Sequence, residues 1–156
     1  MAVIRYFLKL GNIKGESTDK GHQDEIEVLS FGWGATQSGG LGGPGGGGGA
    51  GKVEVDELTF VATSGLASPP IFAACAKGEH LPEAVLTGRR VGGKGQGQDF
   101  LVIKLKEVLI SSYSQFAGEA ERPEDEVSLV FAELEVTAAA GSKTTKATWN
   151  ATAKKA

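Results

Sequence analysis

The chain has 156 residues, with 16 Lys and Arg against 19 Asp and Glu, a formal net charge of −3 and a sequence pI near 5.4. This length suits one core, so a single domain over residues 1–156 is expected, and the acidic balance leaves no global positive field for nucleic acid. No stretch approaches the ~20 apolar residues of a membrane span, and the first residues lack the apolar block of a secretory leader. The expectation is a chain made in the cytoplasm, without membrane insertion.

Alternating apolar and polar residues, punctuated by Gly, Pro and Asn, predict about seven or more antiparallel strands. The first covers about 3–10 and presents one face made of Ile4, Tyr6, Leu8 and Leu10. The second covers about 25–34, where the apolar parity changes between Val28 and Phe31. A β-bulge near Leu29 and Ser30 is therefore expected to return the apolar side chains, including Trp33, to one core.

The third strand, at about 53–60, shows the same change of parity between Val55 and Leu58. Repeated changes of parity indicate a strongly bent sheet, as in a small barrel. Further strands are predicted at about 84–91, 100–112, 126–137 and 144–152.

A short helix is predicted at about 68–78. Ser68 is the expected N-cap, Pro69 follows it, and Gly78 comes after a terminal Lys77. The only cysteine, Cys75, cannot form an internal disulfide and falls on the apolar stripe that would pack on the barrel. The predicted fold is therefore all-β: a small antiparallel β-barrel with one short flanking α-helix.

Ten glycines fall within residues 39–51, which predicts an extended loop because each glycine loses much backbone entropy on ordering. Residues 46–52 also match the first seven positions of a phosphate-binding loop. Val53 stands where Ser or Thr would bind magnesium, and a strand signal follows where that mechanism needs a helix. A nucleotide-binding enzyme is therefore a remote alternative.

No catalytic, cofactor or metal site is expected. Neither His22 nor His80 stands beside a cysteine or a second histidine at the spacing of metal ligands, and both are interpreted as loop residues. The acidic clusters at 24–27, 56–57, 119–121 and 124–126 lack calcium-loop spacing and are interpreted as solvated surface. The serines at 111–114 have no hydrolase motif, and Arg89 and Arg90 alternate faces, so a salt bridge is their expected use. The chain is not expected to be an enzyme.

Several segments carry a family resemblance over nearly the whole chain. They are IKGESTDKGH at 13–22, EIEVLSFGWG at 25–34, ACAKGEHLP at 74–82 and FLVIKLKEVLISS at 100–112. Together they resemble the haemolysin-coregulated protein (Hcp) family of bacterial type VI secretion.

The resemblance implies a homo-hexameric ring whose copies stack head-to-tail as the inner tube of a contractile injection machine. Its expected partners are further rings, the spike and sheath, and small effectors in the lumen, and the protein would be made in the bacterial cytoplasm and then secreted. The long loop would reach a neighbouring subunit or ring through Gln37, Ser38, Leu41, Pro44 and Lys52. An adaptor ring that carries effectors without polymerising is the alternative.

The second strand offers candidates for the lumen wall. If Phe31 and Trp33 face the core, the opposite side of the sheet carries Ser30, Gly32 and Gly34. Position 32 departs from the family pattern, which commonly has a hydroxyl residue there.

Overall fold

The computed structural model describes residues 3–39, 52–91 and 97–151. Within those ranges the chain forms ten strands and one helix: β1 (Val3–Leu10), β2 (Ile26–Val28), β3 (Ser30–Gly32), β4 (Ala35–Gln37), β5 (Val53–Val55), β6 (Leu58–Thr63), α1 (Ser68–Lys77), β7 (His80–Val91), β8 (Gln98–Phe116), β9 (Glu124–Ala140) and β10 (Lys143–Asn150). The predicted fold, a small antiparallel β-barrel with one short helix, is confirmed.

Seven strands make the wall of a nearly closed barrel, in the order β2-β1-β7-β8-β9-β6-β3. The two ends of this sheet are consecutive in the chain and meet at Leu29, whose backbone N–H donates to the Val61 carbonyl at 2.7 Å. The expected bulge at this point is instead a change of partner, because β2 pairs with β1 and β3 pairs with β6. The parity change in the sequence marks that change of partner.

The predicted third strand is two strands with different partners. β5 pairs only with β4, in a two-stranded ribbon outside the main sheet, whereas β6 pairs with β3 and β9. The parity change between Val55 and Leu58 is the passage from the ribbon into the barrel wall.

The long strands β7, β8 and β9 bend together at one row of the sheet. Core-facing residues stand three positions apart in each strand, and they are Leu81 and Ala84, Leu105 and Val108, and Phe131 and Leu134. Within β8, Glu107 lies between Leu105 and Val108 and has φ 55°, a left-handed value that costs a non-glycine residue about 1 kcal/mol or more. The β7–β8 register pairs Leu81 with Val108 and Glu83 with Lys106 but omits Pro82 and Glu107, so the missing N–H of Pro82 falls at an unpaired position. The sheet therefore curves where the sequence alternation fails.

The barrel interior is closed by side chains from every wall strand and by one face of the helix. Leu8, Leu58, Phe60, Leu105 and Leu129 are each exposed by 1% or less. From α1, Ile71 and Ala74 are buried and Cys75 is partly buried. Gly78 ends the helix in the left-handed conformation, as the sequence pattern predicts.

The expected N-cap was wrong by one residue. Ala67 is the N-cap and makes no side-chain capping bond, while Ser68 is the first helical residue. The Ser68 hydroxyl instead donates to the buried carboxylate of Asp125, which outcompetes the helix terminus for it.

Candidate functional site

The predicted contact loop begins and ends on the β4–β5 ribbon. Gln37 and Val53 are paired residues of that ribbon, and the Ser38 hydroxyl both donates to the Lys52 carbonyl and accepts from the Lys52 N–H, each at 3.2 Å. Gln37, Ser38 and Lys52 are thus brought together, and all are exposed. Leu41 and Pro44 lie outside the described residues. Because Lys52 is followed by a strand, the chain has no helix at the position where a phosphate-binding loop requires one.

Two of the three candidate lumen residues, Ser30 and Gly32, lie on the outward face of β3, and Gly34 follows that strand. Ser30 and Gly32 are exposed, Gly34 is partly exposed, and Phe31 packs against the core with its ring 5.1 Å from Tyr6. A side chain added at Gly32 would have no atom within 4 Å, whereas one at Gly34 would meet the Asp56 carboxylate at 3.3 Å. The structure therefore leaves open space outside position 32.

Neighbouring strands extend this face with short polar side chains. Thr59 on β6 pairs with Gly32 and with Ser128 on β9, and Ser128 pairs with Ser112 on β8. The next outward row carries Ser30 at one end and Ser114 at the other, with Val61 and Glu126 between them. We call these two rows, Gly32-Thr59-Ser128-Ser112 and Ser30-Val61-Glu126-Ser114, the hydroxyl face.

The hydroxyl face was only partly found from the sequence. Thr59, Ser112, Ser114 and Ser128 occupy polar positions of alternating strands, but strand order is needed to place them beside Ser30 and Gly32. Within this face Thr59 and Ser128 are joined by a hydrogen bond between their hydroxyl oxygens at 2.8 Å. The side chains of these two rows are mostly small and polar, with one apolar residue, Val61, and one carboxylate, Glu126.

A buried polar cluster fixes α1 to the barrel. The Asp125 carboxylate, 3% exposed, accepts from the Ser64 hydroxyl at 2.6 Å, from Ser68, from the Tyr113 hydroxyl at 3.1 Å and from the Gln115 amide at 3.3 Å. Burial, and next the Asp125 charge, raise the pKa of Tyr113 above its usual 10. We call this the Asp125 cluster. The interpretation of residues 124–126 as solvated surface was therefore wrong for Asp125, which is buried because four donors satisfy it.

The two arginines considered in the sequence as salt-bridge residues contact other side chains of the same chain. Arg89 forms an ion pair with Asp99 at 2.6 Å, while the Arg90 guanidinium lies 5.8 Å from the centre of the Phe100 ring. Arg5 forms a bidentate pair with Glu27, and those hydrogen bonds raise the pKa of Arg5.

Among the residues that the structure describes, no group of three or more His, Cys, Asp or Glu side chains could hold a metal ion. In the same part of the chain, no helix is long and apolar enough to cross a membrane.

The described residues thus form a barrel with a separate two-stranded ribbon and an outward face of mostly polar side chains, which are surfaces for contact with other proteins. Comparison with known proteins identifies the family. The model of the family described as "Type VI secretion system effector, Hcp" matches residues 7–137. The chain belongs to this family, a family of secreted structural proteins of the type VI secretion system.

Known proteins agree with the family. Hcp1 of Pseudomonas aeruginosa is 47% identical over 134 residues, which is 85% of this chain and 82% of that protein. Hcp1 of Salmonella typhimurium has a solved structure with a TM-score of 0.80 and 29% identity, over 96% of this chain and 95% of that one. A type six secretion system protein of known structure has a TM-score of 0.82 and 25% identity, over 95% and 96% of the two chains.

Proposed function

We propose that the chain is a subunit of the inner tube of a type VI secretion system. It forms hexameric rings as a single domain over residues 1–156, the rings stack head-to-tail, and the assembled tube is expelled from the bacterium. The observation that carries the proposal is the family match over residues 7–137. The chain's assembly surfaces, the β4–β5 ribbon and the hydroxyl face, are consistent with it.

Stacking is assigned to the ribbon and to the loop of residues 39–51. Among the described residues β4 and β5 pair only with each other, and the ribbon presents Gln37, Ser38 and Lys52 to solvent. A ribbon outside the main sheet can contact a second ring without disturbing the strand pairing of the barrel. Spike, sheath and effector proteins are the further partners of this proposal.

The lumen wall is assigned to the hydroxyl face. Small hydroxyl side chains offer no large apolar patch and little charge, so a transported protein can pass without being held tightly. Gly32 is the most open position of that wall, since nothing stands within 4 Å of a side chain placed there. A carrier role in the lumen follows from this assignment.

The ring and its stacking are tested together. The purified chain should sediment as a species of about six times 16.1 kDa and appear in electron micrographs as sixfold rings that lengthen into tubes at high concentration. Lys52→Glu combined with Ser38→Asp should preserve rings and abolish tubes, and Lys14→Glu, at another exposed lysine, should preserve both. A chain that stays monomeric would contradict the proposal, and rings that never stack would favour the adaptor alternative.

The lumen assignment has a separate test. A Ser30→Cys, Cys75→Ala chain, labelled with a maleimide gold cluster and imaged as rings, should show gold inside the ring. Lys14→Cys in the same background provides the matched label on the β1–β2 loop. Gold from Ser30→Cys on the outer rim would contradict the lumen assignment while leaving the ring intact.

A further inference from the structure

Phe7 is completely buried, although it does not belong to the barrel core. Its neighbour Leu8 points into that core, so Phe7 lies on the opposite side of β1. The loop of residues 13–25 covers it: the His22 ring stacks on the Phe7 ring with 4.8 Å between centroids and 1° between planes. The loop is therefore folded down onto the outside of the sheet.

His22 joins this loop to the sheet through both ring nitrogens. Its Nδ1 lies 2.9 Å from a carboxylate oxygen of Glu25, and its Nε2 lies 3.3 Å from a carboxylate oxygen of Asp99 on β8. The histidine is only 7% exposed. From its sequence context His22 is an ordinary loop residue, and no local pattern indicates its contact with Asp99, which is 77 positions away.

His22 can donate a hydrogen bond in both contacts only when both ring nitrogens carry a proton. An ionised carboxylate only accepts hydrogen bonds, and a neutral imidazole has a single N–H, so only the imidazolium form can donate to both. In the neutral form one ring lone pair would face a carboxylate.

The contact that the neutral form would lose is the one to the sheet. Asp99 is already held by the Arg89 guanidinium at 2.6 Å, and its contact with His22 is the longer of the two. The Glu25 contact, three residues along the chain, stays within the loop. Loss of the proton therefore removes one of the bonds between loop and sheet and leaves the ion pair of Asp19 with Arg89 as the remaining charged contact between them.

Charged groups from several elements surround His22. Glu25 and Asp19 lie on its own loop, Asp99 lies on β8, and Arg89 lies on β7, where its Nε is 3.7 Å from Asp19. Arg5 from β1, whose guanidinium lies 5.3 Å from the centre of the Phe7 ring, is paired with Glu27 from β2. The two carboxylates that contact the His22 ring can each accept a hydrogen bond from the imidazolium.

We infer that His22 is a proton-dependent latch that holds the loop of residues 13–25 onto the barrel. The latch is closed while both ring nitrogens of His22 carry a proton and loosens when the ring becomes neutral. Phe7 and the outer face of β1 become accessible when it loosens. The same tube subunit would thus present a more mobile surface at alkaline pH than at acidic pH.

Amide hydrogen exchange on the full-length chain tests the latch. The reporters are the amides of Gly15, Ser17 and Asp24, which donate within the loop, and the amides of the β1–β7 ladder are the internal reference. After correction for intrinsic exchange, reporter protection should fall about fivefold to tenfold between about pH 6 and about pH 8, since one lost charge-assisted bond is worth about that factor. His22→Gln should remove this pH dependence, and His80→Gln, at the chain's other histidine, should retain it.

A second variant keeps the test informative if His22→Gln folds poorly. Glu25→Gln preserves shape but replaces the carboxylate at Nδ1 with an amide that can donate to the neutral ring, so both contacts are satisfied without a second ring proton and the pH dependence of reporter protection should weaken. Reporter protection that does not vary with pH in the natural chain would overturn the inference. So would an equal pH dependence in His22→Gln.

Discussion

Two polar clusters, one buried and one partly exposed, attach connecting segments to the same barrel, and they do so with different chemistry. In the Asp125 cluster one carboxylate accepts from three hydroxyls and an amide, all of them neutral donors. In the cluster around His22 the loop is held mainly between charged groups, Arg89 and His22 against Asp99 and Glu25. Neutral donors keep their hydrogens throughout the physiological pH range, whereas the second cluster depends on charge and salt. We therefore expect the Asp125 cluster to be a permanent joint, whose strength does not change with pH or salt in the physiological range. The cluster around His22 is expected to be an adjustable joint, whose strength does change with them.

The largest expected effect is at the permanent joint. Asp125→Ala removes the acceptor of four donors in a buried site, so we expect it to lower the free energy of unfolding by about 3 kcal/mol. Urea denaturation measures this, with Glu126→Ala as control because Glu126 is the next residue on β9 and is exposed. A cost below about 1 kcal/mol would mean that the donors find other partners and that the joint is not permanent.

The two sides of β1 provide the next test. Phe7→Ala and Leu8→Ala should each cost about 3 kcal/mol, because both side chains are fully buried. Only Phe7→Ala should also increase amide exchange in the loop of residues 13–25, since only Phe7 stacks on His22. If Leu8→Ala opens the loop equally, the loop is held by the barrel core and the comparison fails.

Residue patterns predicted the elements well because alternation reports burial wherever one face of a strand is wet. They failed where a second layer covers the outer face. Phe7 falls outside the face of Ile4, Tyr6, Leu8 and Leu10 that alternation predicts for β1, and its burial depends on a loop that no local pattern describes. Likewise, Glu107 follows polar Lys106, and nothing in that pair indicates a left-handed residue within a strand.

The candidate site could likewise be predicted only within a single strand. Ser30 and Gly32 were found from parity within one strand, and the structure exposes both. Their neighbours Thr59 and Ser128 come from strands 29 and 98 positions away from Ser30, counted along the printed chain. Only the order of strands brings them together, and strand order is a property of the folded sheet.

The two clusters should also differ in how salt changes the stability lost on mutation, although these losses are smaller. Arg89→Met should cost about 1 kcal/mol in low salt and much less in about 1 M NaCl, since screening weakens the partly exposed pair with Asp99. Ser68→Ala should also cost about 1 kcal/mol, but independently of salt, because a neutral hydroxyl is lost from a buried carboxylate. Arg90→Met is the control at the neighbouring, exposed arginine. Equal salt dependence of Arg89→Met and Ser68→Ala would remove the distinction between the clusters.

The smallest effect concerns the alkaline limit of the permanent joint. Tyr113→Phe removes one donor to Asp125 and should cost about 0.5–1 kcal/mol at pH 7. Because burial and Asp125 raise the pKa of Tyr113, the unfolded chain releases that proton first, and the natural chain loses stability as the pH rises past about 10. Tyr113→Phe cannot lose stability in this way, so the difference between the two chains should narrow at about pH 10.5. Urea midpoints at both pH values measure it, with Tyr6→Phe, at the only other tyrosine, as control. A difference that widens with pH would show that the ionised phenol is tolerated beside Asp125.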